Sequence, residues 1–341
     1  MRSPMFQRLA VACAALAIPV SAAHATENLR LAHFMSGNSW QNEVIFEGWA
    51  DAVAEASGGA AKVTVFPAQT LGKAPAGYDN AINGITDIAW TVQGYTAGRF
   101  PLSQIMELPG LFDTGAVGSC AFQKLYDSGA LDSEYEETHV LFVHTHDPGH
   151  LHTADKPVRT LDDLKGLKLR RPTTVVGDML DRLGAEPVGM PAPQTYEALQ
   201  RGTIDGYMLP WESVESFRLD ELTKYHTVFG FYALAFVATM NKDKYEALPD
   251  DVKAAIDENT GMKWAVIAGQ GYDDAGAKVL EGLKETSTVI ELSPEERAKW
   301  EATTSETTDA YIQQLNDMGL PGTETYEAVK GYVSDCEAEL G

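Results

Sequence analysis

From Asn28 to Thr91 the chain switches between two periodicities, and that alternation restricts its fold more than any other feature. Asn28 to Phe34 and Lys62 to Phe66 have the short, apolar and alternating character of strands, and Thr86 to Thr91 is a third. Between the first two, Trp40 to Ala56 carries Ile45, Trp49 and Val53 four residues apart, on one face of a helix, and ends at Gly58-Gly59. A short helix over Tyr78 to Asn83 precedes the third strand. Strand, helix and strand in succession build a mostly parallel sheet covered by helices, so the expected class is α/β.

The second half repeats this grammar. A helix over Pro193 to Gln200 stops at Arg201-Gly202 and leads into Thr203 to Met208, as the helix stopping at Asn83-Gly84 leads into Ile85 to Trp90. Each glycine sits at a helix exit, where φ turns positive without steric cost. A chain of 341 residues exceeds what one core usually supports, and two similarly built lobes follow. His226 to Asn241 is too rich in Phe, Tyr and Val for a helix and too long for one strand, so it is expected to cross between lobes as a hinge. Helices follow from Pro249 and again from Pro294, the last two divided at Met318 to Gly322.

Residues 1–25 read as a cleaved export leader, with Arg2 and Arg8, an apolar run from Leu9 to Val20, and Ala23-His24-Ala25 before the cut. No later stretch has the roughly 18 unbroken apolar residues that a membrane span needs, so no direct membrane insertion is expected. The formal charge is −23, and the leader holds two arginines and no acid, so the remainder is more acidic still. Such a surface repels nucleic acid and anionic lipid. Distant charges are screened over about 8 Å in physiological salt, so a buried cation can still hold an anion. Cys120 and Cys336 would meet an oxidising compartment, but spacing alone leaves a disulfide between them open.

Three blocks in order, Leu161 to Pro172, Leu183 to Met190 and Tyr196 to Gly206, resemble the substrate-binding proteins of tripartite ATP-independent periplasmic (TRAP) transporters. Phe66 to Gly72, Leu108 to Phe112 and Met240 to Lys242 extend the likeness. The resemblance implies a two-lobed periplasmic-binding-protein fold with hinge strands crossing between lobes and a long bridging helix. It further implies capture of a small organic acid in the periplasm and delivery to the transporter's membrane subunits, not catalysis. The boundaries drawn are 26–149 plus 237–277 for the first lobe and 150–236 plus 278–341 for the second.

The family's signature arginine falls on Arg170. Independently, Leu167 to Leu169 reads as a strand, ligands in open α/β sheets bind beyond strand carboxyl ends, and a guanidinium grips a carboxylate through two parallel hydrogen bonds. Where sialic-acid-binding and several dicarboxylate-binding members resemble Asp-Gly-Gln-Glu-Asn-Pro, this chain has Asp205-Gly-Tyr-Met-Leu-Pro210, so a polar position becomes Leu209. A second arginine found in some members is His150 here. Ala192 adds to an apolar wall. Trp90, Tyr95, Trp211, Phe34 and Trp40 lie after strands or in loops that can face the cleft. One arginine among aromatic walls suits a flat or modestly apolar monocarboxylate, such as an aromatic acid.

The rival chemistry lies in His144-Thr-His146-Asp-Pro-Gly-His150-Leu-His152, four of the eight histidines within nine residues. Asp147-Pro148-Gly149 reads as a turn, so the run is expected to be a hairpin with His144 and His146 on one face, and His150 and His152 on one face of the next strand. That spacing can chelate zinc, and a periplasmic metal-dependent hydrolase is the alternative reading. No His-Glu-x-x-His, Gly-x-Ser-x-Gly or phosphate-binding loop accompanies it, and neither a cofactor nor a resident metal is expected.

Overall fold

The computed structural model describes residues 26–341; the leader expected over 1–25 lies outside them. Strands β1 (Glu27–Ala32) and β2 (Ala61–Phe66) run parallel, with Leu29 opposite Val63. The helical segment between them buries Ile45, Phe46, Trp49 and Val53, the face set by the four-residue spacing. β3 (Ile88–Val92) joins β1 in parallel, and Gly84 leaves the preceding helix at φ 66°, as the helix-exit reading requires. β4 (Thr138–Thr145) completes the first sheet through β10 (Ala235–Asn241), in the order β2-β1-β3-β10-β4.

The second sheet has the order β11-β9-β5-β8-β6-β7. Its members are β5 (Gly149–Thr153), β6 (Lys168–Arg171), β7 (Glu186–Gly189), β8 (Gly206–Leu209), β9 (Tyr225–Tyr232) and β11 (Thr288–Ile290). β6 is parallel to both β7 and β8, whereas β5 is antiparallel to β8 and β9. The class is therefore α/β with two sheets, one in each lobe.

The chain passes between the lobes at two short strand connections. β4 leaves the first sheet and β5 enters the second across His146, Asp147 and Pro148, and β9 and β10 make the return across Ala233 and Leu234. The expected hairpin at His144 to His152 is thus corrected. β4 pairs with β10, and β5 pairs with β8 and β9, so the turn residues redirect the chain from one sheet to the other. A proline turn between two strands has the same local chemistry in either case, which is why the sequence did not separate them.

A third connection is the helix Met262–Thr286. It packs on helix Gly115–Asp127 and β4 at one end and on helix Trp211–Ser216 and β11 at the other, and so bridges the lobes. Gly115 and Gly269 meet backbone to backbone where the two helices cross, and a Cβ on either would collide with the other's carbonyl oxygen. Asp273 accepts from the backbone N–H groups of Gly115 (2.7 Å) and Ala116 (2.9 Å), satisfying the amino end of that helix. Helix Pro294–Asp317 then packs on helix Thr174–Arg182 of the second lobe.

The last helix, Gly322–Leu340, lies on helix Gly115–Asp127 and is joined to it by the disulfide Cys120–Cys336, with Cα atoms 6.0 Å apart. Although 278–341 was expected in the second lobe as a unit, this helix packs against the first. Both sulfurs are buried in an apolar cluster. Replacing both cysteines by serine should lower stability by about 2–4 kcal/mol, because the loop that the bond closes regains its freedom in the unfolded chain. Equilibrium denaturation of the oxidised protein and the double variant tests this; coincident midpoints would contradict it.

Candidate functional site

Arg170 stands in β6 near its carboxyl end and has no measurable exposure. Its Nε donates to the carbonyl of Met190 (3.0 Å), Nη1 to the carbonyl of Met208 (2.9 Å) and Nη2 to the hydroxyl of Tyr95 (3.3 Å). All three acceptors are neutral, and no carboxylate among the described residues pairs with the guanidinium. A buried cation without a counter-charge is costly, so the arrangement is exceptional in a folded protein. Three of five N–H groups are engaged, which leaves one on each terminal nitrogen.

Tyr95 comes from the turn after β3 in the first lobe, whereas Arg170 and Ala192 belong to the second. The Tyr95 hydroxyl also accepts from the backbone N–H of Ala192 (2.9 Å), so one phenol ties the lobes together at the guanidinium. Beside it is a small, tightly walled cavity. Phe34, Trp90, Tyr95, Ala192 and Leu209, all singled out from the sequence, line it. Trp90 stacks on Phe236 at 4.8 Å and leans on Phe34, also at 4.8 Å, while its Nε1 donates to Nε2 of His144 (2.8 Å). The indole N–H is thereby satisfied outside the cavity, and the ring offers apolar surface.

Three expected residues lie elsewhere. His150 stacks on Trp211 at 4.3 Å and accepts from the backbone N–H of Phe229 (3.1 Å), and neither ring is part of the cavity wall. Trp40 lies in a broader groove and donates to Glu212 (3.1 Å). Residues that sequence reasoning did not place in the wall complete it: His146 and Leu234 on the crossings, Phe236 in β10, and Tyr272 on the bridging helix. A usable signal existed in the crossing run His226 to Asn241, since a segment that passes between lobes must border whatever space they enclose.

The histidine run does not form a chelate. Its rings are divided between the two sheets and bonded individually: His144 to Trp90, His146 Nδ1 to the carbonyl of Asp147, and His150 to Phe229. His152 is bonded to His226 (2.8 Å) and to the carbonyl of Leu209 (3.0 Å). Among the described residues, the one group of His, Cys, Asp or Glu ligand atoms that converges is Cys120, Cys336 and Glu339, and its two sulfurs are bonded to each other. Burial lowers the pKa of His144 and His150 to about 3 and of His146 to about 4, so these rings are neutral at physiological pH. The metallohydrolase reading loses its basis.

Two buried carboxyls span the same lobe interface. Glu212 of the second lobe accepts from Trp40 and from Gln41 (2.7 Å) of the first. Glu107 of the first accepts from the Thr173 hydroxyl (2.6 Å) of the second and from Gln104 (3.2 Å). Burial pushes Glu107 up to about 7, against the hydrogen bonds that favour its ionised form. Gly94 lies so close to Thr173 that an added Cβ would collide with it.

Residues 31–314 match the model of the bacterial extracellular solute-binding protein family 7. The C4-dicarboxylate-binding periplasmic protein DctP of Rhodobacter capsulatus is 30% identical over 191 residues, 54% of each chain. Among solved structures, a TRAP solute-binding protein from Rhodoferax ferrireducens T118, in complex with copurified benzoate, is 36% identical with a TM-score of 0.89, covering 93% of this chain and 100% of that one. A marine metagenome TRAP solute-binding protein specific for aromatic acid ligands, with co-crystallised 3-hydroxybenzoate, is also 36% identical, with a TM-score of 0.88 over 91% and 99% of the two chains.

Glu107 titrates from 4.5 when unfolded to about 7 when folded, so the folded state holds its proton more tightly. The stability this confers is complete below pH 4.5 and disappears as pH rises through 7. Glu107→Gln should therefore remove about 2 kcal/mol of the wild-type loss between pH 5 and pH 8, read as melting temperature at each pH. Equal losses in both proteins would refute the assignment. Gly94→Val should keep the lobes apart, giving a radius of gyration by small-angle X-ray scattering larger than wild type; an unchanged value would show that the contact yields.

Proposed function

The chain belongs to family 7 of the bacterial extracellular solute-binding proteins, and from that premise we propose that it captures an aromatic monocarboxylate on Arg170 and presents it to TRAP membrane subunits. The observation that carries this reading is the fully buried guanidinium bonded to three neutral oxygens and to no carboxylate. A carboxylate supplies the missing charge and accepts the remaining N–H of each terminal nitrogen in a bidentate pair. Tyr95, which accepts from Arg170 and Ala192, still has its own proton to donate to the same anion. Away from water these bonds are stronger than they would be at the surface.

The ligand's body is argued from the walls. Phe34, Trp90 and Phe236 offer ring faces, and Leu209 stands where related proteins resemble an asparagine, so little on this side would hydrogen-bond a polyhydroxylated sugar acid. Benzoate in the solved relative from Rhodoferax ferrireducens is consistent with that shape. Phe34, Trp90, Tyr95, Ala192 and Leu209 are assigned to ligand contact, whereas His150 and Trp211 are assigned to packing behind the wall.

Capture is coupled to closure because contacts from both lobes exist together only when they meet. The Tyr95 bonds to Arg170 and Ala192, the Glu212 bonds to Trp40 and Gln41, and the Glu107 bond to Thr173 all break on opening. The closed surface is the form offered to the membrane subunits, after export through the leader of residues 1–25. The protein acts by binding and release, with no bond made or broken.

Thermal melting with benzoate, with and without a chelator, tests the reading. Wild type should be stabilised by about 2.7 kcal/mol at a ligand concentration 100 times Kd, independently of chelator. Arg170→Ala should retain a cooperative melt and lose the benzoate effect, a drop in affinity of at least about 100-fold. Stabilisation of Arg170→Ala to the wild-type extent would overturn the site.

A further inference from the structure

We propose that His146 accepts a hydrogen bond from a hydroxyl group on the bound acid, so that the site selects hydroxy-substituted aromatic acids over their unsubstituted parents. The inference rests on carboxylate capture by Arg170 and adds a second point of recognition to it.

His146 occupies the three-residue crossing from β4 to β5, is 1% exposed and lines the cavity. Its Nδ1 lies against the carbonyl oxygen of Asp147, a contact that attracts only when that nitrogen carries a proton. Burial, with the nearby positive charge of Arg170 acting in the same direction, keeps the ring from taking up a second proton at neutral pH. Nε2 therefore presents a lone pair. It has no hydrogen-bond partner among the described residues.

Two other polar groups of the wall are committed. Trp90 donates to His144, and the Ser213 hydroxyl donates to Glu212. A carboxylate facing the Nε2 lone pair would be repelled, and a C–H edge would leave it buried and unpaired. An O–H or N–H donor on the ligand's body satisfies it. An ammonium is disfavoured, because no Asp or Glu lines the cavity to balance it and Arg170 already contributes a positive charge there. A hydroxyl remains.

The test measures Kd by calorimetry for benzoate, its 2-, 3- and 4-hydroxy isomers, phenylacetate and mandelate, on wild type, His146→Leu and His146→Gln. Wild type should bind at least one hydroxy acid about 10- to 100-fold more tightly than its parent. His146→Leu should erase that preference, weakening the hydroxy acid at least about tenfold more than its parent, and His146→Gln, which keeps an acceptor, should restore part of it. Equal binding of parents and hydroxy acids by wild type, or equal weakening of both by His146→Leu, would overturn the proposal, the latter marking a packing role. Failure of wild type to bind any of these acids would instead remove the carboxylate reading, and this inference with it.

Discussion

A guanidinium buried without a counter-charge is the constraint around which the rest of the molecule is arranged. Arg170 is held by two main-chain carbonyls from its own lobe and by one phenol from the other. The carbonyls belong to Met190 and Met208, on the segments that follow β7 and end β8, so the parallel register of the second sheet positions the side chain. The phenol comes from the first lobe, so this bond exists only where the two lobes meet. In the proposed function electrostatics and domain motion thus meet in one group, and a charge that would be costly in a static core becomes a means of favouring closure around an anion.

Three polar contacts between the lobes share a pattern. At each, a polar group from one lobe is satisfied by the other: Tyr95 with Arg170 and Ala192, Glu212 with Trp40 and Gln41, Glu107 with Thr173. Opening exchanges these bonds for bonds to water, at a modest net difference per pair. These three contacts can therefore form and break at little net cost. The disulfide and the long bridging helix work differently, since Cys120–Cys336 ties the final helix to the first lobe and leaves the site untouched.

Much of this was legible from short-range pattern. Strands and helices between Asn28 and Thr91 follow from apolar spacing that each segment carries alone. Phe34, Trp90, Tyr95 and Leu209 reach the cavity because each stands in or just beyond the carboxyl-terminal half of a strand, where open sheets gather their ligands. His146, Leu234, Phe236 and Tyr272 depend on how two sheets sit relative to each other, which no local spacing encodes. The surroundings of His150 depend on that arrangement too. Alternation along β5 gives the two faces of the strand but not which one meets the cavity, and its ring turns to Trp211. The final helix follows a bond across 216 residues that spacing left open.

The acidity of the chain and the proposed capture of an anion are reconciled by burial. Most of the 49 acids are on the surface, in water and behind a screening length of about 8 Å. Those near the site are the exceptions, and burial opposes ionisation of each. Glu107 is pushed up to about 7, Glu212 is raised, and Asp147, close to both Glu212 and Asp273, is raised well above the ordinary carboxyl value. The same low-dielectric surroundings that hold His146 neutral thus weaken the negative field around the cavity, while a guanidinium keeps its proton under the same pressure. Arginine is the side chain whose charge survives there, which is why a strongly acidic protein can present a local positive potential to an incoming carboxylate.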